Sequence, residues 1–412
     1  MTEQLTISRI GHRGDGIAET PAGAVYVPYT LPGETVTVEP VAGHPDRRTL
    51  LHVDTPSPQR IVPVCKHFGV CGGCAVQHWA FADYLTWKQS LVVKALSHAG
   101  IEAPVEAIID AHGKGRRRAV LHGRRPSANL LQVGFAAPRA HHIVAIDECP
   151  ILAPSLDGCI PAAWAIAEVL RTTGKPLDIH FTASDRGLDV DVRGTGPLPP
   201  ARLTELARLA DKHNLARITR HGELALQRTE PTLKIGRADV PLPSGAFLQA
   251  TAEGEAALAR LVQGHAGKAK RVVDLFSGIG TFTLRLAETA RVAAVDSEAN
   301  AIKALERGVK STPGLKSVEA RTRDLFRNPM VAMEMKGFDA VVFDPPRQGA
   351  ERQAQELAAS KVPMVIGVSC DASTFARDAR ILIDGGYKLT SVTPVDQFRY
   401  SHHVEIVGRF ER

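Results

Sequence analysis

The residues able to do covalent chemistry gather near the carboxyl end of the chain. Cys370 follows the apolar run Val362 to Val368 and precedes Ala372-Ser373-Thr374-Phe375, which opens a helical pattern. A thiol beside a helix N-terminus has its thiolate stabilised by the dipole, an effect that Asp371 opposes if it faces the sulfur. Such a thiolate can add to C6 of a pyrimidine and turn C5 into a carbanion able to attack a methyl sulfonium. The C5 proton must then be removed before the thiolate can leave, so a base is required, and His402, His403 and Glu405 are the candidates. Read alone, Cys370 is better explained as buried packing. Its place one strand after Phe343-Asp344-Pro345-Pro346-Arg347 favours the nucleophile.

Four other cysteines form a second constellation. Cys65, Cys71 and Cys74 are spaced C-x5-C-x2-C, and Cys149 stands far downstream, directly before Pro150. Three clustered thiolates and one distant one are what a cubane iron–sulfur cluster accepts, because any part of the fold that comes near can close the fourth corner. Structural zinc prefers two tight pairs, so the lone Cys149 fits it less well. Gly72 and Gly73 let the backbone pass close to the sulfurs. The plainer alternative is four buried, unligated thiols, but free cysteines are seldom grouped in this way. Cys159 has no partner and is assigned to the core.

A glycine turn is the third feature. Val272 to Phe276 reads as a strand, Ser277-Gly278-Ile279-Gly280-Thr281 as a turn and Phe282 onward as a helix, so that backbone N–H groups can approach a ligand. Asp296 closes the next strand, where a carboxylate can hold both ribose hydroxyls. This turn does not separate NAD from S-adenosylmethionine, although the third glycine of the dinucleotide pattern is absent. The rest of the sheet decides between them. Asp344-Pro345-Pro346 ends a strand at the carboxyl edge, where ligands of open α/β sheets sit. Methyltransferases of exocyclic amines carry an aromatic residue after Pro-Pro to stack a flipped base. Arg347 stands there instead, which leaves carbon as the methyl acceptor.

These groups need a scaffold. From Val240 onward, RVVDLF, ARVAAVD, FDAVVFDPP and VPMVIGVSC are short β-branched runs, each followed by helical periodicity, the texture of a parallel α/β sheet. VEIVGRF is expected to add an antiparallel edge strand, for roughly seven strands once SVEAR and YKLTSVTPV are counted. Thr6 to about Thr55 alternates short strands with Gly and Pro turns and suits a small β-barrel. Ile61 to about Arg237 holds the cysteines, an amphipathic helix around Tyr84 to Ala99, and mixed strands and helices. The expected division is a barrel at 1–58, a central α+β domain at 59–237 and an α/β domain at 238–412.

The chain of 412 residues is too long for one compact core. With 44% hydrophobic and 23% charged residues it belongs to neither the disordered nor the membrane class. No apolar run approaches the roughly 20 residues of a membrane span. MTEQLTISRI has no charged leader or apolar core of a signal, so the cytoplasm is expected, without disulfides. The net charge is +6. Between His112 and His142 stand Lys114, Arg116, Arg117, Arg118, Arg124, Arg125 and Arg139 with no Asp or Glu, which favours a polyanionic partner over a merely solvated loop.

Taken together the motifs resemble the RNA uracil-5-methyltransferases. Phe247-Leu248-Gln249, DLFSGIGTFTL, FDPPR, VSCD and SHHVE occur in that family's order, and the resemblance covers nearly the whole chain. It implies a class I S-adenosylmethionine-dependent methyltransferase fold with a seven-stranded sheet, behind an N-terminal OB-like TRAM barrel. C-x5-CGGC-x-x-QH with the distal Cys149-Pro150 resembles the [4Fe–4S] site of the 23S ribosomal RNA branch. By the same resemblance Cys370 is the nucleophile and Glu405 the base. Gln249, Phe276, Thr281, Asp296, Asp324 and Asp344 match the lining of the S-adenosylmethionine pocket, with Asp344 also close to the target uracil. Thr281 stands where the ribosomal enzymes often have Asn and Asp296 where Glu is usual, and each change keeps a polar group or carboxylate. The family's T-loop enzymes commonly lack barrel and cluster, so 23S rRNA is the expected substrate and the T-loop uridine of tRNA the alternative. A non-catalytic RNA-binding iron–sulfur protein is a third reading, which the retention of Cys370 and Glu405 speaks against. The barrel and Arg116 to Arg118 are expected to hold flanking RNA while the target uridine is splayed from its stack. A monomer is expected.

Overall fold

The computed structural model describes residues 2–127, 130–140, 142–170 and 176–412. At the N-terminus, strands Glu3–Thr6, Arg9–Ile10, Gly16–Thr20, Gly23–Val27, Thr35–Val41 and His44–Thr55 form one six-stranded sheet. Glu3–Thr6 and Arg9–Ile10 lie at its two ends, yet only Ile7 and Ser8 separate them in sequence. Ile7 N–H donates to Glu34 (2.9 Å) and Ser8 N–H to Ile17 (2.8 Å), so this bent segment closes the sheet into a barrel. Alternate residues Val36 and Val38 point inward with Ile7, Ala18, Val25 and Val27. Glu34 is fully buried at the barrel exit. Burial works against its charge, but Arg60 (2.5 and 2.7 Å) and the N–H groups of Leu31 and Ser57 hold its carboxyl below the usual range.

Seven strands make the central sheet, in the order 143–145, 130–136, 118–127, 177–184, 187–193, 215–220, 223–227. Helices Cys159–Leu170 and Pro200–Lys212 cover it with a core that includes Ile166, Leu206, Ile179 and Val190. Cys159 is part of that core.

The third sheet has eight strands in the order 318–322, 291–296, 271–275, 340–343, 364–369, 405–411, 388–396, 109–110. The strands from 291–296 to 364–369 pair in parallel, and Glu405–Glu411 runs antiparallel to both neighbours. Strands such as Val272-Val273 and Val341-Val342 bury both faces, which is why they read as continuous apolar runs. Helix Ala252–Ala266 packs on one face, and helices Phe81–His98, Glu351–Ala359 and Ala372–Asp384 on the other.

Three findings differ from the sequence reading. VEIVGRF is interior: Glu405–Glu411 lies between Met364–Ser369 and Lys388–Asp396, because strands that are both apolar and antiparallel can be inserted wherever both faces are covered. An eighth strand joins the seven, the two-residue Ile109–Asp110 on the edge. The division between 237 and 238 falls in the turn of a hairpin, Thr232–Ile235 with Ala238–Pro241, whose Ile235 and Val240 pack against Ile279 and Leu305. No helix among the described residues is long and apolar enough to cross a membrane.

Candidate active site

The interior position of Glu405–Glu411 builds the site. Ser369 is paired with Ile406 across the sheet, and one step beyond that pair come Cys370 on one strand and Glu405 on the other. Glu405 is buried, with its carboxyl pushed up to about 7 by burial, against the opposing pull of Gln397, Lys88 and Arg347. Asp344, at the end of Ala340–Phe343, is raised well above the usual carboxyl range by burial and by Glu405 and Asp274. The Cys370 thiol is pushed up to about 12, first by burial and then by the Glu405 and Asp344 charges. The thiolate stabilisation expected from the following helix is not realised. Asp371 caps that helix by accepting from the N–H groups of Ser373 and Thr374 (both 3.0 Å), and its charge adds to those that keep Cys370 protonated.

Of the three candidate bases, the histidines are weakened. His403 is held at about 3 by burial, by the His402 ring stacked 4.0 Å away, and by Arg347, whose Nη2 is 2.9 Å from Nε2. His402 is likewise lowered, chiefly by burial. The raised carboxyl of Glu405 is the better proton acceptor near neutral pH.

Several residues that the motifs did not single out hold these groups. Gln397, fully buried just after Lys388–Asp396, donates from Nε2 to Glu405 Oε1 (2.9 Å) and to Gln249 Oε1 (2.6 Å). The neighbouring Asp396 accepts from Lys88 Nζ and from the Tyr84 hydroxyl, both at 2.5 Å and all without solvent exposure. Two polar residues ending an apolar strand, Asp396-Gln397, were the available signal.

At the glycine turn, Asp296 accepts from Gly278 N–H and Glu298 N–H, both at 2.8 Å, which fixes its carboxylate at the strand end. Gly280 has φ +96°, and a Cβ there would lie 2.5 Å from Leu305, so only glycine suits it. Phe276 takes φ +64° and packs on Phe326 and Phe343, which brings the loop beginning at Asp324 beside the turn. Asp324 itself accepts from Phe326 N–H (2.9 Å). Thr281 closes the turn, its carbonyl accepting from Arg285. Gln249 differs from the rest, since its side-chain oxygen is engaged by Gln397 on the Glu405 side.

Cys65, Cys71, Cys74 and Cys149 all line one cavity of about 640 Å³ together with Arg116, Phe247 and Phe398. Burial raises the thiols of Cys71, Cys74 and Cys149, and charges on the neighbouring cysteines raise them further. Among the described residues no three His, Cys, Asp or Glu side chains converge into a metal-binding group. Gly73 N–H donates to Cys71 Sγ (3.4 Å), but the close approach at Gly72 is to backbone at 136–138 and not to sulfur.

Within the basic stretch Lys114, Arg124 and Arg125 are exposed, but Arg116 to Arg118 are not the open surface that the sequence suggests. Arg117 is buried, donating to Glu255 (2.5 Å) and to the Gln249 carbonyl (3.0 Å), and Arg118 donates to the Leu248 carbonyl (3.0 Å). The acidic partner missing nearby in sequence is supplied from 138 residues away. Arg118 also lies over Phe247, 69% exposed, and Arg116 over Phe398.

Known proteins carry the same organisation. The tRNA (uracil-5-)-methyltransferase family model matches residues 242–410. An RNA methyltransferase of Brucella suis is 45% identical over 407 residues, covering 99% of this chain and 97% of the relative. The 23S rRNA (uracil(1939)-C(5))-methyltransferase RlmD of Acinetobacter baylyi is 31% identical over 449 residues, covering 98% and 95%. The crystal structure of Pyrococcus abyssi tRNA (uracil-54, C5)-methyltransferase with S-adenosyl-L-homocysteine superimposes with a TM-score of 0.75 at 22% identity, covering 99% of each chain. With the thiol and carboxyl paired at the edge of a class I methyltransferase sheet, and with relatives of this identity along its whole length, the chain belongs to the RNA (uracil-5-)-methyltransferase family.

Proposed function

We propose that this RNA (uracil-5-)-methyltransferase acts on a uridine of 23S rRNA through a covalent adduct of Cys370 with uracil C6. The observation that carries the chemistry is the juxtaposition, across paired strands, of the Cys370 thiol and a buried Glu405 carboxyl that titrates near 7. S-adenosylmethionine, when bound, supplies an electrophilic methyl group. Phe276, Thr281, Asp296, Asp324, Asp344 and Gln249 are the residues proposed to line its pocket, with Asp296 suited to the ribose hydroxyls. The pocket keeps Cys370 as a thiol at rest; its proton passes to solvent as sulfur bonds to C6 and the C5–C6 π electrons move onto C5 and O4, which leaves Glu405 ionised. Once C5 carries the methyl group, the ionised Glu405 accepts the C5 proton, the bond from C6 to sulfur breaks, and the thiolate is released. The 31% identity to the Acinetobacter ribosomal enzyme supports 23S rRNA. A second reading, a tRNA uridine, has the name of the matching family model behind it.

Residues 1–58 are proposed as a TRAM-type RNA-binding barrel, the chain from 59 up to the Thr232–Pro241 hairpin as the central domain, and that hairpin onward as the methyltransferase domain. Cys65, Cys71, Cys74 and Cys149 are proposed to hold a [4Fe–4S] cluster. Four thiols lining one cavity are the donor set that such a cluster takes. Held there, the cluster would staple the 65–74 loop to Cys149, and no step of methyl transfer passes through it. The Arg118–Phe247 and Arg116–Phe398 pairs on the same cavity offer stacking faces for flanking bases.

Five outcomes test this reading. In the free enzyme, alkylation of Cys370 followed by mass spectrometry should still accelerate between pH 8 and pH 10 on the order of the thiol's high pKa; a plateau reached below pH 8 would contradict a resting thiol. Cys370→Ala should abolish methyl transfer with S-adenosylmethionine affinity nearly unchanged by calorimetry, whereas Glu405→Gln should trap a denaturant-resistant protein–RNA adduct. With labelled cofactor and unmodified 23S rRNA and tRNA in parallel, label is expected in 23S rRNA, and label in tRNA alone would overturn the substrate. Anaerobically purified protein should be brown with about four irons per chain, and stoichiometric zinc without iron would sink the cluster.

A further inference from the structure

We propose that Gln397 is a positioning residue that holds the Glu405 carboxylate in the orientation and ionised form that proton removal requires, and that it joins this base to Gln249. The inference rests on the reading of Glu405 as the base. It adds a residue that makes no contact with the reacting atoms.

Three observations carry it. The first is the direction of the amide. Its Nε2 faces Glu405 Oε1 at 2.9 Å and Gln249 Oε1 at 2.6 Å, so both N–H groups are directed at oxygens, while Oε1 faces the Thr251 N–H at 3.4 Å. A carboxylate has no N–H to offer, so the donor must be the amide. The second is that the surroundings are shaped for it. A Cβ at Gly254 would lie 2.5 Å from Gln397 Oε1 and 2.7 Å from its Cβ, so the glycine on the Ala252–Ala266 helix makes the space that the amide fills. The third is that its backbone is anchored. Asp396, one residue earlier, is clamped by Lys88 and Tyr84, and Lys88 Nζ also donates to the Phe398 carbonyl at 3.3 Å.

The charges facing Glu405 come from several elements. Lys88 on helix Phe81–His98 and Arg347 after Ala340–Phe343 favour the carboxylate, while Asp344 and Cys370 share the pocket and are themselves raised by the Glu405 charge. Lys88 bonds directly to Asp396 and Arg347 to His403, whereas Gln397 donates to Glu405 itself. A donor to a carboxylate stabilises the charged form, so removing it raises the pKa and leaves less ionised base at neutral pH. The activity it supports is therefore lost toward acid and regained toward alkali.

Gln397→Met keeps the volume and removes both donors. The acid limb of its single-turnover profile for release of free methylated RNA should move up by about one pH unit, with about fivefold less rate at pH 7 and recovery toward wild type by pH 9. The covalent RNA adduct should accumulate during turnover at pH 7 and drain at pH 9, because the methylated intermediate waits for its base. Should this variant fold poorly in a thermal melt, Gln397→Asn, which keeps a polar amide but withdraws it by one methylene, should shift the profile in the same direction. An equal loss of rate at pH 7 and pH 9 without adduct would reduce Gln397 to a packing role and overturn the inference, as would an unshifted profile. Glu405→Gln run alongside separates the two failures. If it traps the adduct while Gln397→Met is unshifted, only the positioning role falls; if it turns over freely, the base assignment falls and the inference with it.

Discussion

Three acids share the carboxyl edge of the large sheet in a space with little water: the Cys370 thiol and the Asp344 and Glu405 carboxyls. Burial raises each of them, the Glu405 charge raises Asp344 and Cys370 further and the Asp344 charge raises Cys370, so they cannot all ionise together. Much of the surrounding structure answers that constraint. Arg347 and Lys88 lean the balance toward charge, and Gln397 donates to one carboxylate oxygen. A pocket that keeps this thiol protonated at rest protects it from adventitious alkylation and oxidation, which follow thiolate character.

The compensating groups come from parts of the chain remote from the catalytic strands. Tyr84 and Lys88 reach Asp396 from 312 and 308 residues away in the chain, and Arg117 reaches Glu255 from the central region. Removing one member of such a buried pair strands the other without solvent, so the site depends on segments that contain none of its chemistry. The cysteine loop is tied in as well. Ala75 N–H donates to the Tyr400 carbonyl (2.8 Å), and Tyr400 N–H to the Tyr84 hydroxyl (3.0 Å), within the segment that carries Gln397 to Glu405. Cys74, next to Ala75, therefore lies one hydrogen-bonded link from the segment that leads to Glu405.

Much of the fold was legible because each piece depends on local periodicity. Runs such as VVDLF and MVIGVS are apolar throughout since both sheet faces are covered, and the barrel strands alternate since only one face is. The glycine turn was legible because Gly280 tolerates no side chain. What stayed hidden is non-local. VEIVGRF reads equally well as an edge or an interior strand, since strand order is set by pairing between segments and not by either segment alone. Gln397 has no motif of its own, and its meaning appears only when Gln249, Gly254 and Glu405 surround it.

By itself the sequence determined the class of chemistry: a thiol after an apolar strand, a carboxyl before another, a glycine turn and a cysteine set, each defined by residue type and spacing along a few turns of chain. The tertiary structure decided the state of those groups. It turned the helix-assisted thiolate into a resting thiol, because burial and the Glu405 and Asp344 charges raise the thiol and Asp371 stands at the helix N-terminus. It also enclosed Arg117 and gave Arg118 backbone and aromatic partners, drawing them out of an open basic patch. Charge and protonation depend on desolvation and on neighbours distant in sequence, and those exist only once the chain has folded.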